Sequence, residues 1–185
     1  MSRHWLPTSS FYGTWLPGDR RGFVGRVWDM RPDDPPTTSK RVEHDIPGTP
    51  YDKDMPGLER ASAQRMKGPP IYFTAEHAEI LIQQFRETAA FRKWKLLAVA
   101  VMANHVHLVV ETSDDVDPTK VLGDFKAYGS RAFTARFGNP ESGTWWTYSG
   151  SKRLLPDDQA VVDGINYVLH KQDNSLATFS ATDRS

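Results

Sequence analysis

The stretch Lys95-Leu96-Leu97-Ala98-Val99-Ala100-Val101-Met102-Ala103-Asn104-His105-Val106-His107-Leu108-Val109-Val110-Glu111 decides the fold class. Two apolar, partly β-branched runs flank Met102-Ala103-Asn104, which is short enough for a tight turn, so the segment reads as an antiparallel hairpin. Working outward, Thr74 caps a helix with Glu76 in its first turn. Ala78, Leu81, Ile82, Phe85 and Ala89 then recur at helical spacing up to about Phe91. On the other side Pro118 opens a helix carrying Val121, Leu122, Phe125, Ala132 and Phe133, which stops near Gly138-Asn139-Pro140. Trp145–Tyr148 reads as a short strand and Ser149–Arg153 as a basic turn. Pro156-Asp157 starts a last helix whose core stripe is Val161, Ile165, Val168 and Leu169. At the front, Ser9 to Leu16 reads as a strand that ends at Pro17-Gly18-Asp19. Residues 20–70 are polar, punctuated by Pro and Gly and without apolar period, which predicts a long loop or insertion. The order β-loop-α-β-β-α-β-α predicts one domain over 1–185 with an α+β, ferredoxin-like (RRM-like) sandwich, helices packed on an antiparallel sheet.

Composition narrows the chemistry. The 185 residues contain no cysteine, which excludes disulfides, a catalytic thiol and thiolate metal sites, and leaves His, Asp and Glu for metal work. No apolar run approaches the ~20 residues of a membrane span, and Met1–Pro7 is no signal peptide, so a cytoplasmic protein without membrane contact is expected. Net charge is zero, with 23 basic and 23 acidic residues, but the sum hides its parts. Residues 118–153 carry six Lys/Arg against two acidic residues, while 32–60 and 154–185 are acidic. A partner feels the local potential within a Debye length of roughly 10 Å, so the neutral total does not exclude nucleic acid. Trp145, Trp146 and Tyr148 interleave the basic stretch, a composition suited to backbone contacts and base stacking, or equally to a solvated helix face over core aromatics.

His105-x-His107 is the sharpest feature. Alternation along a strand projects both imidazoles to one face, close enough to share a divalent ion, with Glu111 further along the same face. The pair reads either as metal ligands or as two hydrogen-bonded structural histidines. Tyr167 lies about 140–150° around its helix from the core stripe, so that stripe does not explain it. It is either a surface aromatic or a nucleophile able to attack phosphorus. Tyr128, set among Phe125, Ala132 and Phe133, is the rival tyrosine and reads as core packing.

The strand from Val99 to Val110 with its His105-Val106-His107 resembles the HUH segment of REP-associated tyrosine transposases. These are single-tyrosine transposases related to those of small insertion sequences of the IS200 type. Tyr12-Gly13-Thr14-Trp15-Leu16-Pro17-Gly18-Asp19, Trp146-Thr147-Tyr148-Ser149-Gly150-Ser151 and Asn166-Tyr167-Val168-Leu169 with Gln172 resemble the same group in the same order. The resemblance implies that His105 and His107 hold Mg²⁺ or Mn²⁺, that Tyr167 attacks a phosphate of single-stranded DNA to leave a 5′-phosphotyrosine, and that Lys126, Arg131, Lys152 and Arg153 hold the backbone near a DNA hairpin. It also implies an amide ligand one helical turn after the tyrosine. That position is Lys171, and an ideal helix turns Gln172 toward the core, so Gln172 is taken as third ligand with Glu111 as the alternative. Two other readings stand beside this one: a domesticated hairpin-binding protein that no longer cleaves, and a hydrolase using His105, His107 and an acidic third ligand. Monomer and homodimer are both compatible with the sequence.

Overall fold

The computed structural model describes residues 2–21, 27–29, 40–42, 55–148 and 150–183, with backbone alone for the two short segments at 27–29 and 40–42. The chain divides into two compact units, residues 1–14 with 67–185 and residues 15–66.

In the smaller unit, β2 (Val27–Asp29) pairs antiparallel with β3 (Lys40–Val42), and α1 spans Pro56–Gln64. The long loop expected over about 20–70 therefore contains a helix and a strand pair in its described part. Pro56 opens α1 where its missing N–H costs nothing. None of the helix's residues is buried, so it leaves no apolar stripe in the sequence.

The larger unit is a five-stranded antiparallel sheet in the order β6-β1-β5-β4-β7. Its strands are β1 (Ser2–Ser10), β4 (Lys95–Val101), β5 (His105–Ser113), β6 (Ser151–Leu155) and β7 (Ala177–Ser180). Helices α2 (Ala75–Arg92), α3 (Pro118–Phe137) and α4 (Asp158–His170) complete it. Counting β1, β4, β5 and β6 as first to fourth, their order is 4-1-3-2. This is the ferredoxin-like arrangement expected of an α+β sandwich, extended at one edge by β7. Thr74 and His77 close a capping box at the start of α2, and Lys93 ends it in the left-handed region. Asp117 and Asp157 cap α3 and α4 through their side chains.

Three local expectations change. The first strand runs over Ser2–Ser10 rather than Ser9–Leu16, and Pro7 is tolerated in a position flanked by β5 and β6. Trp145–Tyr148 contributes only an isolated bridge between Trp146 and Phe11. The basic stretch read as a turn is instead the edge strand β6. Exposed Lys and Arg suit a sheet edge, where they discourage pairing with foreign strands.

The sheet has two unlike faces. Val99, Val101, Val106, Leu108 and Val110 point to α2 and α3, into a core with Phe85, Phe125 and Phe133. Leu6, Ala98, Ala100 and Val109 point the other way, to Val168 of α4 and Leu155 of β6. By alternation His105 and His107 share this second face with Val109. Gly164 lets α4 settle there, since a Cβ on it would lie 3.1 Å from Leu155 Cδ1 and 3.5 Å from Leu6 Cδ1.

Candidate metal and tyrosine site

β5 begins at His105, immediately after the turn, so both histidines sit at the end of the sheet where the chain reverses. Their rings are 4.8 Å apart, centroid to centroid, and nearly perpendicular. Each Nδ1 has a partner: Thr8 Oγ1 lies 2.6 Å from that of His107, and Asn104 Oδ1 lies 2.6 Å from that of His105. The Thr8 contact follows from sheet register, because Thr8 of β1 stands directly opposite His107. His107 is 7% exposed. Burial, and then the neighbouring His105, push its pKa down to about 3, so the ring is neutral and keeps a lone pair for a ligand.

Tyr167 reaches the same place from α4. Its ring centroid is 5.3 Å from that of His107 at a steep angle, and the residue remains 40% exposed. The tyrosine that its own helix stripe leaves unexplained is thus placed against the histidine pair of the same chain. Tyr128 is elsewhere: on α3, beside Phe91 at 6.2 Å and under Arg131 at 4.8 Å, on the opposite side of the sheet.

Gln172 is also brought to the tyrosine's turn. The objection from ideal helix geometry lapses, because α4 ends at His170 and Lys171 leaves the helical conformation. The Gln172 side-chain amide then donates to the Tyr167 carbonyl at 3.3 Å. Glu111, the alternative third ligand, is engaged elsewhere. Its carboxylate binds Lys95 at 2.9 Å and faces His4 at 3.6 Å, and Lys95 holds its pKa below the usual range. Among the described residues no three His, Asp, Glu or Cys side chains gather as a metal-binding group. The described residues therefore supply no acidic third ligand of the kind the hydrolase reading needs.

The four basic residues do not form one patch. Lys126 is half-buried and its Nζ donates to the carbonyls of Thr147 at 2.6 Å and Tyr148 at 3.4 Å, with its pKa pushed down to about 8 by burial and by Lys152. It ties α3 to the following loop. Arg131 is exposed on α3. On β6, Arg153 pairs with Leu6 and so belongs to the histidine face, while Lys152 pairs with Pro7 and belongs to the other. Trp145 and Trp146 are buried, with their indole N–H groups bonded to Thr134 and to Lys126 and Ser130, so neither presents a stacking surface. Tyr148 is fully exposed.

Residues 67–150 match the IS200-like transposases. The match, to the family described as "Transposase IS200 like", takes in α2, the hairpin with His105 and His107, and α3. It covers just under half of the chain and bears out the resemblance read from the motifs. At the coarse level the matched segment is similar to DNA transposases. β1 with Thr8 and α4 with Tyr167 lie outside the matched residues. Two solved structures are similar at low identity. One is the REP-associated tyrosine transposase bound to a REP hairpin, with 10% identity over 90% of this chain and a TM-score of 0.45. The chain spans 64% of that protein's length. The other is a candidate transposase from Deinococcus radiodurans R1, with 13% identity over 94% of this chain and 93% of that one, at a TM-score of 0.45. No curated protein matches the chain. No described helix is long and apolar enough to cross a membrane.

Thr8 is the site residue that sequence reading missed. Nothing in its neighbourhood, Leu6-Pro7-Thr8-Ser9, marks it, because its role comes from a partner 99 positions away.

Proposed function

We propose that the chain is a metal-dependent single-tyrosine transposase that cleaves and rejoins single-stranded, hairpin-bearing DNA. The observation that carries this reading is Tyr167 lying against His107 within one chain. The two imidazoles, each held at Nδ1, suit a divalent ion, and Mg²⁺ or Mn²⁺ is the ion that the resemblance to single-tyrosine transposases implies. His105, His107 and the Gln172 amide oxygen would hold it. A bound ion supplies Lewis-acid polarisation of the scissile phosphate.

The chain's own residues do the rest. The Tyr167 oxygen attacks phosphorus, its proton passes to solvent, and the bond from phosphorus to the 3′ oxygen breaks. The products are a 5′-phosphotyrosine and a free 3′-hydroxyl. Attack by a 3′-hydroxyl on the phosphotyrosine reverses the step and rejoins DNA, so no nucleotide cofactor is consumed. Arg153, on the histidine face, and Lys152 at the same sheet edge are placed to hold backbone phosphates, with Arg131 on α3 serving DNA that passes the helical side. Lys126 acts through the loop it anchors, and the exposed Tyr148 ring on that loop offers a stacking face. Since tyrosine and histidines meet within one chain, a monomer suffices.

The test is covalent trapping. Protein incubated with Mn²⁺ and a hairpin-bearing single-stranded oligonucleotide leaves an adduct resolved on a denaturing gel, and Tyr167→Phe leaves none. An adduct that persists in Tyr167→Phe and vanishes in Tyr128→Phe overturns the assignment. Salt-dependent hairpin binding with no adduct under any divalent metal favours the non-cleaving relative instead.

A further inference from the structure

The histidine pair is gripped from β1 and from the turn that follows it. Thr8 of β1 holds His107, and the other grip is built in two steps. The Phe11 N–H donates to the Asn104 carbonyl at 3.0 Å and the Thr14 hydroxyl donates to the same oxygen at 2.8 Å. With its backbone fixed in this way, Asn104 presents Oδ1 to His105 Nδ1 at 2.6 Å. A carbonyl oxygen only accepts, so Nδ1 of His105 carries the proton, and in a neutral ring the lone pair is then on Nε2. A hydroxyl can play either part, but metal ligation through Nε2 requires that Thr8 accept.

We infer that Thr8 and Asn104 are positioning residues that hold His107 and His105 as Nδ1–H tautomers, with Nε2 as the atom each offers to a metal. The inference rests on the metal reading proposed above and deepens it. It also gives β1, which lies outside the matched segment 67–150, a direct part in the site. The same residue has a second neighbour that limits its freedom. Gly150 lies so close to Thr8 that a Cβ there would stand 2.5 Å from the Thr8 carbonyl, so a side chain at 150 would push on the strand at Thr8. Partners of this kind typically change metal affinity 10–100-fold when removed.

The experiment uses the full chain with ¹⁵N-labelled histidine. In metal-free protein, imidazole nitrogen shifts report the tautomer directly, and Mn²⁺ titration by calorimetry reports affinity. Thr8 is half-buried, and valine keeps its branched shape and strand preference while removing the hydroxyl. Thr8→Val is expected to give His107 a mixture of tautomers and to weaken Mn²⁺ binding 10–100-fold, leaving His105 unchanged, and Thr8→Ser is expected to restore both readouts. Asn104→Ala is expected to do the same to His105 alone, since the turn is anchored by main-chain bonds. Wild-type His107 protonated at Nε2 overturns the inference, as does a Thr8→Val protein with unchanged tautomer and affinity. His107→Ala tests the metal reading separately. If it binds Mn²⁺ as tightly as wild type, that reading fails whatever the tautomer spectra show.

Discussion

Among the described residues, the core between the sheet and helices α2 and α3 holds nine buried aromatic side chains, among them Phe11, Phe73, Phe125 and Trp146. Among the same residues, the buried core between the sheet and α4 holds none. It is built from Leu6, Ala98, Ala100, Met102, Val109, Leu155 and Val168. Both faces belong to the same strands, but of those nine only Trp5 stands on a strand, and the rest come from α2, α3 and the connections that cover that face. Phe11 and Phe73 stack at 3.4 Å, and Phe133 meets Phe73 edge-on at 4.8 Å, filling space with large rigid groups. On the α4 face Ala100 stands directly opposite His107, and Gly164 allows the helix close. Small residues there leave room for two imidazoles and a tyrosine ring. One face holds most of the buried side chains and the other carries the candidate site, so damage to each should be read by different measurements.

Tyr167→Phe should have the largest effect, complete loss of the covalent DNA adduct with thermal stability kept near wild type, because the residue is 40% exposed and the change removes only the hydroxyl. Loss of folding in this variant would show that the α4 face carries more stability than its residues suggest. Phe125→Ala attacks the opposite face. Phe125 is fully buried against Phe85 at 4.8 Å and Trp94 at 5.6 Å, and its truncation should cost about 3–5 kcal/mol in urea unfolding. A cost below about 1 kcal/mol would break the contrast. Gly164→Val should cost about 1–3 kcal/mol through overpacking against Leu155 and Leu6. It should also lower adduct formation by more than Phe125→Ala does at a temperature where both stay folded, since it lifts α4 and with it Tyr167.

The smallest effect concerns pH. His77 accepts from the Thr74 N–H and contacts its hydroxyl at the start of α2, stacked between Phe73 and Phe137, and burial lowers its pKa from 6.5. Unfolded chain therefore binds a proton below pH 6.5 that folded chain resists, so stability should fall as pH drops from 6.5 toward the lowered value. In His77→Asn that part of the urea-midpoint profile should flatten. Thr74→Ala, which removes the capping hydroxyl, should cost about 1 kcal/mol at pH 7.

Elements with strong local period were legible in the sequence. The hairpin from Lys95 onward, α2, α3 and α4 all stand within a few residues of their expected bounds. β6 and β7 were not legible. The exposed Lys152 and Arg153 resemble a turn until β1 supplies their partner, and Ala177–Ser180 is too short to show alternation. α1 escaped because it buries nothing. In the site, His105 and His107 could be named from strand alternation, and Tyr167 from its mismatch with its own helix stripe. The direction of the Gln172 side chain could be read only once the end of α4 was known, since one residue of helix more or less turns it by about 100°.

The sequence by itself determined the hairpin with paired imidazoles on one face, the helices around it and the absence of thiol chemistry, because periodicity and composition are local properties. Only the tertiary structure decided that Thr8 stands opposite His107, that Tyr167 reaches that histidine from a helix some sixty positions further on, and that Trp145 and Trp146 are core while Tyr148 is surface. The physical reason is the same in each case. Register between distant strands and the seating of a helix on a sheet are set by the packing of side chains far apart in the chain, and no local pattern encodes those distances.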